Sequence, residues 1–214
     1  MPKKAVKKKS LKPRLKSLSL LILECDANTL ASHGMGVANE LNAVVRLLPA
    51  KLTTELAFIN SKTDLQDRFV EYTQKYGSIK LIVVIAHSNR EVISIAPDLV
   101  LTWDAFGRWI KKFRPNQMVF VACEAGQFPS TRTLFDQIPN LKKIYASPVK
   151  TTKEQAKIIK LLLPYLLLSK TQDPELIRMF QIINFLNNGG VILRCSRRNA
   201  EWTSLFQFLG GLAD

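Results

Sequence analysis

Cysteine and histidine are scarce in this chain of 214 residues, with three of the first and two of the second. Cys25, Cys123 and Cys195 form an odd, widely spaced set, which is no disulfide framework and fits a reducing compartment. With only His33 and His87 and no Cys-x-x-Cys pair, neither a structural zinc site nor another cofactor is expected. Glycine-rich phosphate loops are missing as well. No apolar run is followed by Gly-x-Gly-x-x-Gly or a Walker sequence, which argues against a doubly wound nucleotide binder. Long apolar runs are also absent. Ile158 to Leu168 is broken by Lys160 and Pro164, and Leu18 to Leu23 stops at Glu24 without a small-residue cleavage site. Glu24 beside Cys25 disfavours a lipoprotein. A protein without a membrane contact, in the cytoplasm, is expected.

Acidic residues are absent from positions 1–17, which carry eight of the 31 Lys/Arg. Residues 18–214 therefore hold 23 bases against 17 acids, a net +6, and more than half of the formal charge of +14 is a tail. The expectation is a basic, disordered arm over 1–17 and one folded domain over 18–214. A basic arm is either simply solvated or a contact for nucleic acid or an acidic partner.

What is present alternates between strand and helix. Apolar runs at Leu18–Leu23, 55–60, Lys80–Ala86, Met118–Ala122, Lys143–Ser147 and Val191–Cys195 predict six strands. Between them, helical spacing predicts helices over 37–48, 65–76, from Thr102, near Thr131 to Gln137, and over 152–168 and 174–187, with a short apolar helix after Cys195. Val92–Ile95 reads as a small exposed hairpin. The order predicts an α/β three-layer sandwich around a mostly parallel, roughly six-stranded sheet.

Two of the apolar runs end on reactive side chains. Lys80–Ala86 leads to His87-Ser88-Asn89, and Met118–Ala122 to Cys123-Glu124-Ala125-Gly126. In a sheet buried on both faces, functional groups sit just beyond the strands' carboxyl ends, so His87 and Cys123 are the candidate pair. Cysteine attack on a carbonyl needs a thiolate, a proton-transfer group and donors for the oxyanion. The backbone N–H groups of Ser88 and Cys123 are the candidate donors, and a following helix N-terminus would lower the thiol pKa. Packing is the competing role for a cysteine that ends an apolar strand. His33, in a polar loop expected on the same edge, is the fallback base.

An apolar strand ending in histidine, a Trp-containing helix, then an apolar strand ending in Ala122-Cys123-Glu124-Ala125-Gly126 resembles the caspase-like (clan CD) superfamily of cysteine peptidases. The Cys-Glu-x-Gly segment is most similar to the CHAT-type branch. The resemblance covers roughly residues 18–150. It implies a caspase-hemoglobinase fold and endopeptidase cleavage of protein or peptide substrates by a His87/Cys123 dyad, with no metal in the chemistry. Relatives that cut after Lys or Arg carry acids near the first strand and near the cysteine, which would make Asp26 and Glu124 substrate-binding. Asp26 is equally a turn residue and Glu124 a helix-start acid. A regulatory protein partner is expected, because no regulatory domain is legible. The family carries glycine after the histidine where this chain has Ser88, and a glycine-type conformation would strain serine. That departure motivates the alternative of a catalytically silent binding module whose basic arm contacts nucleic acid or an acidic partner.

Overall fold

A computed structural model of the protein describes residues 16–26, 28, 38–46, 52–150 and 194–197. Its frame is a six-stranded sheet in the order β2-β1-β3-β6-β7-β8, formed by β1 (Lys16–Cys25), β2 (Thr54–Ile59), β3 (Tyr76–Ile85), β6 (Gln117–Val121), β7 (Lys143–Ala146) and β8 (Arg194–Arg197). The first five of these are parallel and β8 is antiparallel to β7. The expected mostly parallel α/β sheet is therefore present. The expected hairpin is formed by β4 (Val92–Ala96) and β5 (Leu99–Thr102), which pair as a separate antiparallel ribbon.

Parallel sheets survive only when both faces are dry, and the strand sequences show why this one is. Leu21, Leu23 and Cys25, Ile82, Val84 and Ala86, and Met118, Phe120 and Ala122 all belong to one buried cluster with Leu65, Tyr72, Phe106 and Leu134 from helices. The alternating residues Ile22, Val83, Ile85, Val119 and Val121 are buried as well, on the other face. Helices α2 (Lys62–Lys75), α3 (Trp103–Ile110) and α4 (Phe128–Gln137) supply the first cluster. Helix α1 (Ala38–Arg46) lies against β1 and β2.

Caps place the helices. The Ser61 side chain accepts from Asp64 N at 3.0 Å and starts α2, and Thr102 accepts from Ala105 N at 3.2 Å and starts α3. Helix α3 continues as a 3-10 turn, Lys111–Phe113, and stops at Arg114 in the left-handed region at φ 50°. Several boundaries differ from expectation. Helix α2 starts at Lys62 and passes straight into β3, so Tyr76 belongs to the strand and not to the expected helix. Helix α4 begins at Phe128, and β8 starts three residues later than the expected strand and overlaps it at Arg194 and Cys195. The helices expected at 152–168, at 174–187 and after Cys195, the basic arm up to residue 15, and the loop containing His33 lie outside the described residues.

Glu24 is the odd residue of this core, 3% exposed at the end of β1. Its Oε2 accepts from Ala38 N at 2.9 Å, satisfying an otherwise unpaired amide at the start of α1. Burial pushes the carboxyl above its ordinary value of 4.5, and the Ala38 amide only partly offsets this. The native carboxyl thus holds its proton more tightly than the unfolded one. Its stabilisation is complete below pH 4.5 and is lost as pH rises through the folded value. Glu24→Gln keeps an acceptor for Ala38 and removes the charge. We expect it to match the wild type near pH 4 and exceed it near pH 8 in urea titrations, whereas lower stability at both pH values would contradict this account.

Candidate functional site

Strands β3 and β6 are adjacent and in register up to Ile85 opposite Val121. His87 and Cys123 each stand two residues beyond that pair, at equivalent steps past the carboxyl ends of neighbouring strands. Ala86 and Ala122, the residues just before them, still belong to the helix-covered cluster. Both His87 and Cys123 are half-buried.

A run of hydrogen bonds along β4 holds the neighbouring candidates in place. Asp26 N donates to Ile95 O at 2.9 Å and Ser94 N to His87 O at 2.9 Å. Ser88 forms a bridge with Ile93, and its hydroxyl donates to Cys123 O. Across the same gap, Arg90 N donates to Glu124 Oε2 at 3.2 Å. The ends of β1, β3 and β6, each carrying a candidate residue, are thus tied to one another directly or through the hairpin.

The Ser88–Ile93 bridge is framed by Asn89 N to Val92 O at 3.0 Å and by the Ser94–His87 bond. In such a pair the N–H and C=O of Ser88 itself point away from the partner strand. Ser88 is also not among the residues with positive φ, so serine carries no glycine-type strain here. The strain expected from replacing the family's glycine does not arise.

Two electrostatic expectations change. The helix after Cys123 does not begin until Phe128, so Cys123 is not at its N-terminus and Glu124 is not a helix-start acid. Residues 123–126 form a turn in which Glu124 has φ 56°, its N–H donates to Val149 O at 3.0 Å, and Gln127 N closes the turn on Glu124 O at 3.1 Å. Asp26 has the turn geometry considered for it, with φ 51°, and it is 5% exposed with Oδ1 making no hydrogen bond among the described residues. Cys25 is buried, and desolvation, with Glu24 and Asp26 on either side, pushes its thiol up to about 12. It stays a packed thiol at neutral pH and cannot compete as a nucleophile.

Supporting residues escaped the sequence analysis. Asn89 Oδ1 accepts from Glu91 N at 2.8 Å and Val92 N at 2.9 Å, a turn that Ser88-Asn89-Arg90 after a strand could have signalled. Trp103 Nε1 donates to Asn89 O at 3.0 Å, and Gln127 Nε2 to Pro148 O at 3.1 Å. These contacts join distant segments, so no local pattern announces them.

The mostly parallel sheet flanked by helices is an α/β fold that matches that of a caspase-like cysteine protease. A similar solved structure is that of a secreted C11 cysteine protease from Bacteroides thetaiotaomicron in complex with an irreversible peptide inhibitor, with a TM-score of 0.52 and 9% identity. The match covers 72% of this chain and 57% of that one, so the chain corresponds to little more than half of the protease. No protein-family model matches the sequence, and no curated protein does. No helix among the described residues is long and apolar enough to cross a membrane.

Proposed function

We propose that the protein is a cysteine endopeptidase whose Cys123 and His87 form the catalytic dyad. The observation that carries this is the register of β3 and β6, which sets the two residues at equivalent steps beyond adjacent strand ends in a cysteine-protease fold. In this reading Cys123 Sγ, as thiolate, attacks the scissile carbonyl carbon, and the carbonyl electrons move to the oxygen. The N–H groups of Ser88 and Cys123 stabilise that oxyanion. Collapse breaks the C–N bond, with His87 delivering a proton to the leaving amine. Water, deprotonated by His87, then releases the acid and restores the thiol.

Asp26 and Glu124 supply the negative charge for a basic P1 side chain, and the buried Asp26 Oδ1 has no protein donor to displace among the described residues. Within this reading, the resemblance of the Cys123-Glu124-Ala125-Gly126 segment favours the CHAT-type branch. Protein substrates follow from this activity.

The test is covalent labelling by peptidyl acyloxymethyl ketones with Lys, Arg or Asp at P1, read by intact mass and peptide mapping. The adduct is expected on Cys123, with Cys25 unlabelled. His87→Ala should slow labelling by about 100-fold or more, and Asp26→Asn should reduce the preference for Lys and Arg. Equal inertness of the wild type and Cys123→Ala to every probe would end the peptidase reading and leave the silent binding module.

A further inference from the structure

The parallel strands begin at the end of the sheet opposite the candidate site, and that end is basic. Lys80 lies just before Leu81, which is in register with Gln117 at the start of β6. The turn Lys111–Asn116 enters β6, and Leu141-Lys142 enters β7. A bond from Lys142 N to Asn116 O, 2.8 Å, sets these two turns side by side. Lys80, Lys111, Lys112, Arg114 and Lys142 are all exposed, and none makes an ion pair among the described residues. The antiparallel strand β8 ends at the same level, with Arg197 in register with Lys143.

Two described acids near this end are engaged. Glu55 at the start of β2 binds Lys75 Nζ and Tyr76 OH, each at 2.5 Å, and Asp136 near the end of α4 lies 3.9 Å from Arg132. Strand β1 also begins here, so residues 1–15, with seven Lys/Arg and no acid, join the fold at its basic end. Among the described residues, none of the exposed large apolar side chains, Phe58, Val70, Val100, Phe128 and Val149, belongs to the turns that carry these cations. A membrane surface normally takes apolar residues along with charge, whereas a polyphosphate backbone needs only cations at spaced positions.

We propose that this end of the folded domain is a docking surface for the phosphodiester backbone of nucleic acid, independent of base sequence. Because the surface lies opposite the candidate site, docking leaves the strand carboxyl ends open. The proposal stands whether or not Cys123 is catalytic.

The experiment is fluorescence anisotropy with a single-stranded RNA and a duplex DNA, each roughly 30 nucleotides long, over a series of KCl concentrations. The proteins are the full chain, the chain lacking residues 1–15, and K111Q/R114G/K142Q in both backgrounds. Glycine suits the left-handed Arg114, and the other two positions are exposed, so thermal melting should be unchanged. Should it fall, K111Q/K142Q leaves position 114 intact and reads the same effect. The triple substitution is expected to weaken binding about tenfold or more and to reduce the salt slope by about 2 to 3 in both backgrounds. The double substitution should reduce that slope by about 2. Unchanged affinity and slope in the substituted chains would overturn the proposal. So would binding of phosphatidylserine vesicles, but not of nucleic acid, with the same dependence on these residues.

Discussion

Gly126→Ala is expected to lower stability by about 2–3 kcal/mol, the usual scale for forcing atoms into a closed space, and to slow labelling of Cys123. A Cβ at this position would meet Ala146 O at 2.6 Å, Ser147 C at 2.8 Å and Ala146 C at 2.9 Å. All three are backbone atoms at the end of β7, and no rotamer change can move them aside. The residue does not have a left-handed φ, so its lack of a side chain matters through proximity. The same approach lets Gly126 N donate to Ser147 O at 2.7 Å. Alanine must push the Cys123 turn off β7, which stretches that bond and the neighbouring one from Glu124 N to Val149 O, at 3.0 Å.

Gly107→Ala is the control. Its Cβ would meet Gln137 Cβ at 3.0 Å and Cγ at 3.2 Å, a smaller encroachment than at Gly126, and alanine contributes about 1 kcal/mol of helix propensity in return, so a smaller loss is expected. Urea unfolding and the second-order rate of Cys123 labelling would separate the two variants. Wild-type behaviour of Gly126→Ala in both measurements would contradict the close approach.

Trp103→Ala is expected to cost about 3–5 kcal/mol, the range for deleting a large buried aromatic. The side chain is 3% exposed and meets Phe106 and Phe120 edge-on, with centroids at 6.2 and 5.5 Å. Its indole N–H holds Asn89 O, and Asn89 in turn shapes the loop that follows His87. Trp103→Phe keeps most of the apolar packing and removes the hydrogen bond, so about 1 kcal/mol is expected. In thermal melts of a chain this size these losses correspond to roughly 10 °C and about 2–4 °C. If the phenylalanine variant slows Cys123 labelling while remaining almost fully stable, the indole hydrogen bond positions the His87 loop. If labelling falls only in proportion to stability, the role of Trp103 is packing alone.

Much of the sheet was legible because a buried parallel strand is a local signal. Lys80–Ala86 and Met118–Ala122 are unbroken apolar runs, and they fall on β3 and β6. The helix starting at Thr102 was legible for the same kind of reason, since a threonine cap precedes amphipathic spacing. The failures also have local causes. Pro129 in the first turn of α4 is a helix-start signal, and it sets the start at Phe128, ahead of the expected Thr131. Strand β8, Arg-Cys-Ser-Arg, has no apolar period and exists because β7 offers it a partner.

By itself the sequence determined the apolar runs, the residue types at their ends and the imbalance of charge, because each is written in consecutive residues. Only the tertiary structure decided that β3 adjoins β6 in a register that gives His87 and Cys123 equivalent places. It also decided that Ser88 avoids a glycine conformation, that Glu124 occupies a turn outside any helix, and that lysines from separate turns share one end of the sheet. These are outcomes of strand order and register. Both are set by burial of two sheet faces across long loops, and no stretch of neighbouring residues encodes either alone.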